Sequence, residues 1–183
     1  MDGLDRHDVN ELTKCADSLR ELLYNSFPPA IYHGKVTSLD NDPFPEEIFD
    51  GENILDEEAD LYDNLKGKQW IDISDEVIAR NEQGYLFLTD EAFAAFLPAW
   101  LLRSLDNLGE ENRIREYLIY TFGPKAGGFS YPWGIANLNK QQRRTLRSFL
   151  ENFLVYEPSS FIREGAENLL QEFDKMEANL AEI

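Results

Sequence analysis

The 183-residue chain has one cysteine, Cys15, and two histidines, His7 and His33. A single cysteine excludes an internal disulfide bond and any metal site built from several cysteines. Cys15 lies within an apolar helical pattern, so we expect a small buried core residue rather than a reactive thiol. The two histidines form no recognisable ligand pattern, and we predict neither a metal site nor a cofactor.

Sequence motifs of common active sites are also absent. The chain has no Ser-centred nucleophile elbow, no Walker-type phosphate loop, no glycine-rich dinucleotide turn and no HExxH motif. We therefore assign no catalytic residues and favour a protein that acts by binding, although an enzymatic alternative stays open below.

Long apolar runs are missing as well. None reaches the roughly 18 residues that a membrane-spanning helix needs. Residues 1–8 carry three aspartates and lack the cationic and apolar regions of a signal peptide. These absences predict a cytoplasmic protein that does not insert into a membrane.

Basic residues are few, because 17 Lys and Arg stand against 35 Asp and Glu, giving a formal net charge of -18. This charge argues against direct binding to nucleic acid or anionic lipid, which both require a cationic surface. Residues 36–65, hereafter the acidic segment, hold eleven acidic residues and no Lys or Arg, whereas the rest of the chain holds 24 acidic and 17 basic residues. Most of the charge imbalance therefore comes from the acidic segment.

The apolar residues, by contrast, are sufficient for a real core, since 43% of the chain is hydrophobic. In residues 89–105 large apolar side chains recur at three- and four-residue steps, which is typical of a helix with one buried face. They are Phe93, Phe96, Leu97, Trp100, Leu101 and Leu105. Thr89 is the expected N-cap of this central helix, and Pro98 is expected to kink or break it.

Similar patterns predict helices at residues 5–27, 56–65, 74–81, 110–122, 139–156 and 160–180. Asp8, Ser74 and Asn139 are the expected caps of three of them. Residues 31–54 are expected to be ordered but irregular, and residues 85–88 to be buried coil. The sequence thus predicts one mainly α, compact multi-helix domain over residues 1–183, built around a proline-kinked central helix, with an irregular acidic segment and little or no sheet.

The acidic segment supplies the candidate partner-binding residues, which share a predicted short helix: Asp56, Glu57, Glu58, Asp60 and Asp63. Like charges held this close repel one another, and a cationic partner would neutralise them. The leading hypothesis is an immunity or inhibitor protein that blocks a basic toxin or nuclease. A related alternative is a DNA-mimic inhibitor of a nucleic-acid-binding protein.

Paired carboxylates support a different alternative. Glu46, Glu47 and Asp50, followed by Glu57 and Asp60, resemble the acidic pairs of helical, magnesium-dependent nucleotide pyrophosphohydrolases. Those enzymes need carboxylates on facing helices to hold the metal against a phosphate chain. Here the pairs lie close in sequence, and a Phe-Pro step and a glycine interrupt the first helix. A solvated acidic face is the competing interpretation.

The basic residues of the helix at 139–156 form the other candidate site. Lys140, Arg143, Arg144 and Arg147 are spaced to share one helix face, opposite the Leu and Phe residues of the predicted core face. The group is a candidate anion-binding site. Alternatively, it pairs with the acidic segment within the fold or stays solvated.

Several segments resemble a known family. The sequences GKQWIDI at 67–73, FLTDEAF at 87–93 and FLPAWLL at 96–102 are similar to a bacterial family catalogued as a domain of unknown function, number 6714. NKQQR at 139–143, with FL at 149–150, matches the start of a later helix of that family. The resemblance covers roughly residues 27–153. It implies no catalytic residues, because the family has no assigned activity, but it does imply a small cytosolic protein of the immunity or accessory kind.

Overall fold

A computed structural model describes residues 9–37, 52–82, 84–122 and 138–181, without the side chains of residues 52–58, 85–86, 120–122 and 176–181. The α-helices of these ranges are α1 Val9–Ser26, α2 Glu52–Leu65, α3 Asp75–Arg80, α4 Asp90–Ser104, α5 Arg113–Phe122, α6 Lys140–Tyr156 and α7 Ser160–Ala181. Short 3-10 turns lie at Trp70–Asp72 and Gly84–Phe87. Over these ranges, strand-like pairing is limited to one isolated antiparallel bridge, so the predicted mainly α fold is confirmed.

Helix α4 lies at the centre of the fold and contacts α1, α3, α5 and both 3-10 turns. Thr89 caps it as predicted, since its hydroxyl accepts a hydrogen bond from the amide of Ala92 at 3.3 Å. Residues 96–101 are all buried, and because a helical turn takes 3.6 residues, this stretch is enclosed on every side. The prediction that only one face of this helix is buried was therefore wrong for residues 96–101. The helix also continues through Pro98, so the break that a proline can cause does not occur.

Five helices form a closed circuit in which α1 packs on α6, α6 on α7, α7 on α5, α5 on α4, and α4 on α1. Their inward residues merge into one hydrophobic core, with the largest fully buried members being Trp100, Phe96, Phe149, Phe153, Leu19 and Leu23. Gly165 permits the close approach of α7 to α5, because a Cβ there would lie 2.1 Å from Cγ2 of Ile119.

Helices α2 and α3 attach to this circuit through α4 and the turn before it. α2 begins at Glu52, earlier than the predicted residue 56, so residues 52–55 are helical, whereas irregular structure was predicted up to residue 54. Its residues Leu61 and Leu65 are fully buried. Ser74 caps α3 as predicted, by accepting from the amide of Val77. The predicted irregular structure of residues 38–51 and the Asp8 cap lie outside the described residues.

The start of α6 agrees with its predicted cap, whereas Leu88 differs from the predicted buried coil. The capping box at the start of α6 is confirmed, since Asn139 and Gln142 exchange side chain to backbone hydrogen bonds of 3.0 and 2.9 Å. The end of the predicted buried coil, Leu88, instead forms the isolated bridge with Thr37. Thr89 extends this contact, because its hydroxyl donates to the carbonyl of Lys35 at 2.6 Å.

Candidate functional site

The predicted partner-binding acids all lie on α2, but they differ in their surroundings. Asp63 is exposed, and Asp60 is partly buried. The side chains of Asp56, Glu57 and Glu58 lie outside the described part. The backbone nevertheless places all five positions on one continuous helix.

Asp60 is held within the fold. Its Oδ2 accepts a hydrogen bond from Nδ2 of Asn81 at 2.7 Å, and its Oδ1 lies 3.2 Å from Nη2 of Arg80. Asn81 is itself buried, and its carbonyl accepts from the indole nitrogen of Trp100 at 3.1 Å. Asp60 therefore connects α2, through the end of α3, to the centre of α4. This gives it a positioning role that its place in an acidic sequence did not reveal.

Helix α2 and the residues that follow it in the sequence are strongly acidic. Residues 52–82 contain ten acidic and three basic residues. Two of the bases are engaged locally, because Arg80 pairs with Asp60 and the ammonium of Lys66 lies 5.2 Å from the ring centroid of Tyr62. Buried Leu61 and Leu65 anchor the helix to the core. Thus the acidic residues of α2 lie on a helix that its buried residues hold in place.

The predicted basic group on α6 is divided by the fold. Lys140 and Arg144 are exposed, whereas Arg143 and Arg147 are partly buried. Arg147 contacts Asp174 of α7 at 2.6 Å and Glu151 at 3.0 Å. The hydrogen bond to Asp174 is the main reason why the pKa of Arg147 is raised. Its contacts are with α6 and α7 rather than with the acidic segment.

Arg143 is also occupied, since its Nη1 donates to the carbonyl of Leu138 just before α6. Two of the four basic side chains are therefore used by the fold. Lys140 and Arg144 are left as the solvent-facing members of the predicted anion-binding group.

A buried ion pair that the sequence patterns did not predict joins Arg115 of α5 to Glu157, the residue after α6. Their side chains are 1% and 0% exposed. Nε of Arg115 donates to Oε2 of Glu157, while its two Nη atoms donate to backbone carbonyls, including those of Ser104 and Glu110. Burial lowers the pKa of Arg115, and the Glu157 carboxylate opposes that effect. The arginine thereby fixes the loop between α4 and α5 against the end of α6.

A signal for this pair was present in the sequence. Arg115, Leu118 and Ile119 are spaced by three and four residues, so they share a face of α5, and the two apolar members are buried. An arginine on the apolar face of a helix needs an acceptor, because a buried charge without a partner is costly. The pattern could have indicated a buried arginine, but not its partner.

A cleft of about 660 Å³ lies beside this ion pair. Its walls come from the first half of α1, the loop between α4 and α5, and the turn from α6 to α7. The apolar lining residues are Val9, Leu12, Ala16, Leu105, Leu108, Val155 and Pro158. Charged lining comes from Arg20, Glu110, Glu157 and Arg163.

Cys15, on the same half of α1, was predicted to be a small buried core residue, and it is partly buried and packs against the hydrophobic core. Its thiol donates to Oδ1 of Asn152 at 2.6 Å. Burial, and to a smaller extent the charge of Glu11, raises the pKa of the Cys15 thiol. These surroundings disfavour the thiolate, which is the reactive form.

Comparisons with known proteins give no relative: no protein-family model matches the chain, and neither do curated proteins or solved structures. The resemblance to the family of unknown function therefore stays a prediction.

In the ranges that the structure describes, no cluster of three His, Cys, Asp or Glu residues could hold a metal ion. No helix in those ranges is long and apolar enough to cross a bilayer.

Proposed function

We propose that this protein is a non-enzymatic, cytoplasmic binding protein that neutralises a basic partner through the acidic surface of α2, as an immunity or inhibitor protein does. The partner is a toxin, a nuclease or another cationic protein. The observation that carries the proposal is the anchoring of α2: its acidic residues stand on a helix whose Leu61 and Leu65 are 0% exposed. A segment that served only for solubility would need no such attachment to the core.

The electrostatics of α2 favour fast association with a cation. Repulsion among clustered carboxylates opposes compaction, and a cationic surface relieves that repulsion. Complementary charge mainly raises the association rate, whereas a few buried groups set the lifetime of a complex. A fixed helix adds to this effect, because no ordering of the acidic residues has to accompany binding.

The test compares two variants that lose the same charge. One carries Asp56→Asn, Glu57→Gln, Glu58→Gln and Asp63→Asn, and it spares Asp60 because that side chain holds α3. The control replaces exposed acids outside α2 by Gln, namely Glu21, Glu111, Glu164 and Glu167. The partners to test are any basic proteins that are encoded beside this one.

At about 0.05 M ionic strength, the α2 variant should associate tenfold or more slowly than wild type, and the control should change much less. At about 0.5 M salt the difference should shrink, because the screening length falls below about 10 Å. Equal association rates for the two variants would show that the charge of α2 has no special role. Magnesium-dependent release of phosphate from nucleotides by the purified protein would instead support the enzymatic alternative.

A further inference from the structure

The cleft between α1, the α4–α5 loop and the α6–α7 turn has the dimensions of a ligand site. Small-molecule sites typically enclose about 300–1,000 Å³, and this cleft encloses about 660 Å³. Three separate segments supply its apolar walls, and the Arg115–Glu157 ion pair holds two of them together. The cleft is thus bordered by fixed parts of the fold.

Arg163, in the first turn of α7, gives the cleft its chemical character. Its Nη1 donates to the carbonyls of Glu157 and Pro158 at 2.6 and 2.9 Å, which fixes the guanidinium in place. Within the described part of the chain, no carboxylate lies within ion-pair distance of it.

The other charges around the cleft are already matched or lie at its edge. The Glu157 carboxylate pairs with Arg115 and also accepts from the amide of Ser159 at 3.3 Å. Arg20 lies 2.8 Å from Asp17, and the residue Glu110 is exposed. Of the two lining arginines, Arg163 is therefore the one that pairs with no carboxylate among the described residues.

We propose that this cleft binds a small organic acid with an apolar body, whose carboxylate pairs with Arg163. An arginine offers a planar set of donors that suits a carboxylate, and hydrogen bonds between two charged groups are the stronger ones. The apolar body of the ligand packs against side chains such as Leu12, Leu108 and Val155. This site is separate from the acidic surface of α2 and does not depend on the proposed function.

The experiment titrates the full chain, labelled with nitrogen-15, with matched acids and alcohols. The probes are hexanoate against hexanol, and 3-phenylpropionate against 3-phenylpropanol. The acids should cause saturable shifts of the amide signals of Leu12, Leu108 and Val155, and should bind at least tenfold more tightly than the alcohols. Since the carbon skeletons match, that ratio measures the contribution of the carboxylate.

Three variants test whether the acids bind in the cleft and whether Arg163 causes the preference for them. Arg163→Gln should abolish the preference for the acids, whereas Lys68→Gln, which removes an exposed cation outside the cleft, should leave it unchanged. Thr13→Phe places bulk on the exposed α1 wall of the cleft and should weaken both probes while Arg163 stays intact. This variant keeps the test informative if Arg163→Gln fails to fold. The proposal is overturned if shifts do not saturate, if acid and alcohol bind equally, or if Lys68→Gln acts like Arg163→Gln.

Discussion

Removing the guanidinium of Arg115 should be among the most damaging single changes in this protein. Arg115→Leu leaves the Glu157 carboxylate buried, with the amide of Ser159 at 3.3 Å as its remaining described hydrogen-bond donor. It also removes the donors that now serve the carbonyl of Ser104, the last residue of α4, at 2.8 Å and carbonyls of the α4–α5 loop, among them that of Asp106 at 3.3 Å. Breaking a buried pair in this way costs about 3–5 kcal/mol, because one charge stays buried without its partner.

Two further variants separate the charge from the hydrogen bonds. Glu157→Gln keeps an oxygen that can accept from Arg115 but removes the negative charge, so it should cost about 1.5–3 kcal/mol. The double variant Arg115→Leu, Glu157→Leu leaves no buried charge. The double variant should therefore lose less stability than the sum of the losses caused by Arg115→Leu alone and by Glu157→Leu alone. The expected coupling between the two sites is about 1–3 kcal/mol.

Urea unfolding followed by tryptophan fluorescence measures all these free energies. Hydrogen exchange supplies a local readout, because the amide of Glu110, which donates to the carbonyl of Asn107 at 3.0 Å, should exchange faster once Arg115 is gone. A loss below about 1 kcal/mol for Arg115→Leu, or strictly additive single variants, would refute the conclusion that the pair clamps the loop.

Three other predictions concern the core and the thiol. Gly165→Ala should destabilise by about 1–3 kcal/mol through its clash with Ile119, although alanine is the better helix former. The same change should become neutral or stabilising in an Ile119→Ala background, and a stabilising effect in wild type would contradict the close helix approach. Trp100→Ala should cost about 3–5 kcal/mol in urea melts, because the ring is fully buried and its nitrogen donates to Asn81; a loss below about 1 kcal/mol would contradict this. Cys15 should react with iodoacetamide more slowly at pH 8 in the native than in the unfolded protein. Its raised pKa also means that the native rate should keep rising beyond the ordinary midpoint of 9.0; a lower midpoint would contradict this.

Local features of the fold could be predicted because their causes are local. Thr89, Ser74 and Asn139 cap their helices as expected, since each hydroxyl or amide oxygen reaches an amide three residues ahead. The start of α5 was placed wrongly at residue 110. Asn112 caps that helix by accepting from the amide of Ile114 at 2.9 Å, and the sequence offered several competing polar residues nearby.

Features that depend on distant residues could not be predicted in the same way. The carboxylate that pairs with Arg115 lies 42 residues further along the chain, and no helical period connects the two. The cleft draws on α1, the α4–α5 loop and the α6–α7 turn, so its existence depends on how these segments meet. The burial of residues 96–101 of α4 on every side likewise depends on the neighbours of the helix, which its apolar pattern does not reveal.

The acidic residues that the structure describes include two physical classes, which the formal charge of -18 does not distinguish. Asp60 and Glu157 are bound by side chains of other helices, and their negative charge acts within the fold. Asp63 and exposed acids such as Glu111 and Glu164 face solvent. Neutralising Asp60 or Glu157 would disturb α3 or the α4–α5 loop, and would therefore weaken the proposed binding even if neither residue touched a partner. A functional test of the acidic surface is therefore decisive only when the substitutions are confined to the second class and stability is shown to be unchanged.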